Sequence, residues 1–389
     1  MSNNITLIVG GQQCSQWDDV SIDSDLLIPA DAWSVTLFNP PADPLPSTVF
    51  KGAVVEITYN GQTVLKGTID RITDSVNRQG YRLSVSGRDV VGVLLDSSVP
   101  LTVRQQVSLY DIVKQYVLPD LGGFLQDFLV VDQGVDFTIA KVAVEPSESI
   151  WDAIVKAAEA AGQYVWAESD GNIRVGNPFN KRQPKTPNLI MRRAGQNNNV
   201  LSVEYAEDIT SQYSTVIVLG QDNSTQASFY ATEDNLPDTY TGQDLTPSKK
   251  DQPDAPEYTG KSNQKLPYLR RKIVLDSLAD NDDQAVKRAR KIMQDGNLSA
   301  YSLNVEVDGW TCATGQIWTT GWTVNYQSDV TRKVANGTWV IMGRTLKLGR
   351  NGKTTQLRLK RKQYWMQPVA PLSPDNQDDA EELTEYPDS

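Results

Sequence analysis

A chain of 389 residues, 39% hydrophobic and 22% charged, has the composition of a soluble globular protein and room for about two to four domains. Histidine is absent, which removes the commonest transition-metal ligand and the usual general base. Zinc hydrolases and Ser-His or Cys-His nucleophile systems are thereby excluded, and a net charge of −11 argues against a dedicated DNA-binding protein.

No apolar run has the length of a membrane span, and MSNNITLIVGG lacks the basic start and apolar core of a secretory signal, so assembly from the cytoplasm is expected. Cys14 and Cys312 lie too far apart for a metal-type spacing and read as buried thiols. From residue 366 onward there are acids and prolines but no Lys or Arg. Residues 366–389 therefore read as an acidic flexible tail, or as a docking peptide for a partner.

In chain order, residues 1–98 read as all-β, with strands at Thr6–Val9, Ser34–Phe38, Val54–Tyr59, Thr63–Ile72 and Tyr81–Ser86. Asn60-Gly61 supplies the positive φ angles of a tight hairpin turn. Gly67 inside a strand suggests a bulge or bend. Residues 99–187 form a small α+β domain and linker. One helix starts at Ser108, a second runs from Ser149 to Gly162, and a hairpin turns at Ser169–Asn172. Residues 188–221 and 298–365 return to strands and make a second β-barrel. Between them, 222–297 is an insertion that holds a long polar loop and a helix from Asp280 to Asp295, with Gly296 as its stop.

Residues 52–89 and 321–362 share a pattern of Gly, strand, turn, long strand, Gly turn and strand, which predicts two related antiparallel β-barrels. In this alignment Gly67 and Gly343 occupy equivalent places. The fold class expected is mainly β with α+β modules: two tube-like barrels, a small α/β domain, and an insertion carrying a helix.

The runs SGRDVVGVLLDSS (residues 86–98) and DGWTCATGQIWTTGWTVNY (308–326), in the order barrel, small module, interrupted barrel, resemble the baseplate hub proteins of contractile phage tails. That group takes in the Mu-like and T4-like hubs, the late-control D proteins and the N-terminal part of VgrG proteins. The resemblance covers about residues 5 to 365, and the Mu-like branch fits the length. It implies a virion baseplate protein assembled in the host bacterial cytoplasm. Three copies would form a hollow ring whose six barrels adapt the sixfold tail tube to the threefold spike. Partners so implied are the chain itself, the spike or needle, the tube or its terminating protein, and other baseplate subunits, with DNA only in transit. The alternatives are the hub of a type VI or pyocin-like device, or a tail-associated glycan-binding or lytic protein.

Candidate chemistry is sparse. Arg88-Asp89 reads as a corner, Asp89 accepting the free N–H groups of a helical turn, rather than as a reactive pair. Between Gly343 and Lys362 there are eight basic residues and no acid. Lys347, Arg358 and Lys360 alternate there with Leu and offer either a solvated face or a contact surface for an acidic subunit or passing DNA. Trp310, Trp318 and Trp322 read as core plugs or interface anchors. The acid pairs Asp18-Asp19, Asp282-Asp283 and Glu145/Glu148 read as surface acids and caps. No catalytic residue, metal ligand or cofactor is expected.

Overall fold

The computed structural model describes residues 4–40, 44–99, 103–108, 138–143, 147–160, 164–176, 178, 183, 185–221, 228–234, 270–276, 282–350 and 352–361. The chain opens with the hairpin β1 (Ile5–Val9) and β2 (Gln12–Cys14), then β3 (Asp19–Asp25) and β4 (Ala32–Phe38). β3 was not among the expected strands. β5 (Val54–Tyr59) and the long β6 (Gln62–Asn77) turn at Asn60-Gly61, both at positive φ, and β7 (Gly80–Asp89) returns along β6. α1 (Val91–Asp96) is the short apolar segment after the Arg88-Asp89 corner.

β8 (Val103–Ser108) and β9 (Thr138–Ala143) make an antiparallel ribbon; the rest of the helix expected from Ser108 lies outside the described residues. α2 (Ile150–Ala160) starts at a reciprocal cap: the Ser149 hydroxyl accepts the Asp152 N–H at 3.0 Å and donates to its carboxylate at 2.7 Å. β10 (Tyr164–Ala167) and β11 (Ile173–Gly176) form the expected hairpin. Ile150, Ile154 and Ala158 of α2 share one core with Val90, Val91 and Leu94 at and around α1, and with Val165, Ile173 and Val175 of the hairpin.

β12 (Asn188–Met191) and β13 (Val200–Glu207) precede a second unit centred on residues 212–297. There β14 (Thr215–Gln221) pairs antiparallel with β15 (Ser228–Asp234) and parallel with β16 (Arg271–Asp276). α3 (Asp282–Ser299) packs Ala285, Ala289 and Met293 on Val216 and Val218. The sequence reading placed β14 in the second barrel, but its ladder partners put it in this inserted sheet instead. Gly296 does not stop α3. One interior Gly costs a helix only about 1 kcal/mol, and the next side chain, Asn297, is buried against Gln212.

β17 (Tyr301–Asp308), β18 (Thr323–Ser328), β19 (Gly337–Gly349) and β20 (Gly352–Arg361) complete the first unit. Its strands fall into two halves of one connectivity. The first half is ordered β3-β4-β7-β6-β5-β1 and the second β13-β17-β20-β19-β18-β12, so the strands correspond one for one in chain order. Of the five pairings only the last differs, antiparallel for β1 on β5 and parallel for β12 on β18.

The correspondence extends to single bonds. Gly52 and Gly321 both have φ 87°, and their N–H groups donate to Ile69 O and Ile341 O, each at 2.7 Å. Ile69 N–H returns to Ala53 O, and Ile341 N–H to Trp322 O, each at 2.9 Å. The ladders slip just after both isoleucines, between Ile69 and Arg71 and between Ile341 and Gly343. Gly343 therefore matches Arg71 rather than Gly67, whose place is taken by Trp339. The β18–β19 connection is longer than Asn60-Gly61, so an alignment on glycines drifts out of register.

The six strands of the second half surround one core, with Leu189, Val200, Val305, Tyr326, Trp339 and Leu357 drawn from all of them. Asn199 ties β12 to the head of β13, donating to Asn188 O at 2.7 Å and accepting the Ile190 N–H at 2.7 Å.

Candidate assembly surface

The two halves are joined edge to edge. β3 runs antiparallel along β19, with Val20 opposite Leu348 and Asp25 opposite Gly343. Arg358 on β20 clamps this seam: it donates to Asp23 at 2.8 Å, to Asp25 at 3.2 Å and to Ser24 O at 3.1 Å. The Thr345 hydroxyl adds a bond to Asp23 at 2.5 Å. Burial works against the guanidinium charge, but the Asp23 and Asp25 carboxylates outweigh it, so the Arg358 pKa is raised.

The expected acidic partner of Arg358 is thus this chain's own β3. Lys360 is half-buried, donates to Ser299 O at 3.1 Å, and has its pKa pushed down by burial. Lys347 is exposed beside Gln356. The alternation of Leu with basic residues is real, but it does not make one free cationic face. Leu346 and Leu348 enter the first core, and Leu357 and Leu359 the second.

The tryptophans are core residues of the protomer, which removes them as surface anchors. Trp310, fully buried, plugs the first half's core 5.0 Å from Tyr59, with its indole N–H on Lys347 O at 2.9 Å. Trp318 and Trp322 lie in the second core.

Behind the seam lies a buried charge cluster that the sequence reading missed. Arg344, 4% exposed, donates to Trp318 O and, at 3.3 Å, to Val64 O, so it touches backbone of both halves. Burial lowers its pKa to about 10 against the upward pull of Asp31. The Asp31 carboxyl is enclosed although part of the residue reaches the surface, and burial raises its pKa to about 7. Asp89 is raised well above its ordinary value by burial and then by the neighbouring Asp31. Two enclosed carboxyl groups beside each other thus both resist ionisation, and the Arg344 guanidinium offsets this in part for Asp31.

The Arg88-Asp89 corner is architecture. Asp89 accepts the Val91 N–H at 3.0 Å at the start of α1, while Arg88 bridges Asp70 at 2.6 Å and Asp96 at 2.5 Å. Those two bonds raise the Arg88 pKa and lower that of Asp96. Among the acid pairs, Asp18 accepts the Phe38 N–H at 2.6 Å, Glu148 faces Lys156 at 3.6 Å, and Asp282-Asp283 open α3; Glu145 lies outside the described residues.

An open cleft of about 400 Å³ is lined by Arg192, Asn325, Tyr326, Gln327, Ser328 and Asp329, among others. Its polar groups are largely spent on the turns around it, as in Ser328 N–H to Asn336 and Arg193 N–H to Asp329. Among the described residues no three His, Cys, Asp or Glu side chains are grouped to hold a metal ion. What the described residues offer is strand pairing and burial.

Comparison with known proteins points the same way. Residues 4–89 match the family described as Mu phage baseplate assembly protein GpP-like, N-terminal, and residues 295–363 match a tail protein C-terminal domain family. The chain is 22% identical to the baseplate hub protein gp44 of Escherichia phage Mu over 82% of its own length and 77% of that protein's. The chain resembles the Mu-like baseplate hub proteins, in its first 89 residues by family and over most of its length by sequence and fold. A tail protein from Neisseria meningitidis shares its fold at TM-score 0.75 and 25% identity, covering 95% of this chain and 99% of that one. The 43 kDa tail protein of prophage MuSo2 from Shewanella oneidensis follows at TM-score 0.72 and 17% identity, over 93% and 99%. These likenesses are those of a hub-like structural protein of the phage tail and baseplate type. Among the described residues no helix is long and apolar enough to cross a membrane.

Proposed function

We propose that this hub-like chain assembles as a trimeric ring that seats the sixfold tail tube on one face and the threefold spike on the other, leaving a passage for DNA. The observation that carries the reading is the repeated strand order of the two halves. Three copies of a chain with two similar halves present six similar units, which is what an adaptor between sixfold and threefold partners requires. The halves are also unlike where an adaptor needs them to be. The second is interrupted by the inserted unit between β13 and β17, and the first is not.

On this reading the chain works by presenting surfaces, with no chemical step and no cofactor. Nothing in the fold favours a secretion-device hub over a phage hub, or a lytic enzyme over either. Light scattering on the purified protein tests the reading. A ring predicts a particle of about 130 kDa, three times the 43.1 kDa chain, which is retained on an immobilised spike protein. A monomer at micromolar concentration, or one that clears peptidoglycan, contradicts it.

A further inference from the structure

Because the two halves share one register, the seam inside the chain specifies a second seam that a single copy leaves unmade. Inside the chain, the outer half of β19 (Gly343 to Leu348) is covered by β3 on the side where β18 ends. The matching stretch of β6 is Arg71 to Val76. On the corresponding side, β5 stops at Val54–Thr68, and the last bonds are those of Ile69 to Gly52 and Ala53. Among the described residues no strand pairs with that edge, and Arg71, Thr73, Asp74, Ser75 and Val76 are all exposed. The counterpart of β3 is β13. It pairs with β17 on one side, and among the described residues no strand pairs along the other side of Val203–Glu207.

The geometry points to a second copy of this chain as the occupant: β13 of one copy adds antiparallel to β6 of the next. This inference rests on the ring reading and gives it a residue-level joint.

The register follows from ladders already formed. In the first half Val20, Val35, Val85 and Ile72 stand side by side across four strands, and in the second Val203, Val305, Leu357 and Arg344 do the same. Transferring the β3–β19 pairing sets Val203 opposite Val76, Tyr205 opposite Asp74, Ala206 opposite Thr73, Glu207 opposite Ile72 and Asp208 opposite Arg71. The chemistry suits the placement. Val76, 79% exposed in one copy, gains an apolar partner. Arg71, the base on the β6 edge, meets the acidic end of β13; the internal seam also joins a base, Arg358 of the neighbouring β20, to acids at the end of β3, Asp23 and Asp25. Two long free edges of matching register also invite disordered aggregation unless each caps the other, and head-to-tail pairing by a fixed rotation closes a ring.

Paired cysteines test this. Ala206 and Thr73 correspond to Asp23 and Thr345, whose side chains touch in the internal seam. In full-length protein with Cys14→Ser, the double variant Thr73→Cys, Ala206→Cys is oxidised mildly and run without reductant beside each single variant and the shifted pair Thr73→Cys, Glu204→Cys. Thr73, Glu204 and Ala206 are all exposed, and matching thermal melts confirm that each variant folds. The inference predicts a covalent trimer for the Thr73/Ala206 pair, with the singles and the shifted pair falling well short of it. If the wild-type protein is a trimer by light scattering and the Thr73/Ala206 pair does not cross-link beyond the controls, the strand pairing is wrong while the ring stands. If it is a monomer and nothing cross-links, both fall.

Discussion

Trp310 enters the core of the first half from more than two hundred residues down the chain, packing on Tyr59 and bonding to Lys347 O. Removing that indole opens a cavity that its β-strand neighbours cannot collapse to fill. Trp310→Ala should therefore cost about 3–5 kcal/mol, measured by urea unfolding of the whole chain. A loss below about 1 kcal/mol would mean that the first core does not depend on it. Asp31 gives a second test at this scale. Its carboxyl pKa is raised from the ordinary 3.8 to about 7, so the folded state keeps a proton that the unfolded chain loses. Stability from this group is therefore fully present below about pH 4, declines as pH rises, and is at its lowest above pH 7. The rise corresponds to at most roughly 4 kcal/mol. Asp31→Asn can still accept the Asp25 N–H, so its melting temperature relative to wild type should climb between pH 5 and pH 8. Parallel pH curves for the two proteins would contradict the enclosed protonated carboxyl.

At the scale of elements, the first half is not a free-standing domain, although its sequence reads as one. Its core takes in Trp310, Ile317, Leu346 and Leu348, and its β3 edge is finished by β19. A fragment ending at Ser98 should consequently lack a cooperative thermal transition; a melt matching that of the intact chain would overturn the shared-core account. The same dependence explains what was legible in the sequence. β5, β6 and β7 carry clean alternation and an Asn-Gly turn, and α2 carries its own cap, so local signals sufficed. β3 reads DVSIDSD, a composition that disfavours strands, and it is held by Arg358 and Thr345 from the far end of the chain. No local pattern announces such a strand except the inward spacing of Val20 and Ile22. The candidate basic residues were found for the right reason, an acid-free run, but the acids they answer lie on that unrecognised strand. The tryptophans were legible as plugs, and their burial decides between the two roles left open for them.

For the molecule as a whole, the repeat was visible only as a faint pattern of glycines and turns, and it aligned a step out of register. Strand order and paired bonds, which sequence does not display, show how closely the halves correspond. The likeness to hub proteins extends over most of the chain, whereas the proposed ring rests on the correspondence of its two halves. The most direct test is an electron-microscope image of the purified full-length protein, averaged without imposed symmetry. The account predicts an annulus of three copies with six comparable lobes around a central hole. Solitary particles, or closed rings built from any other number of chains, would contradict it.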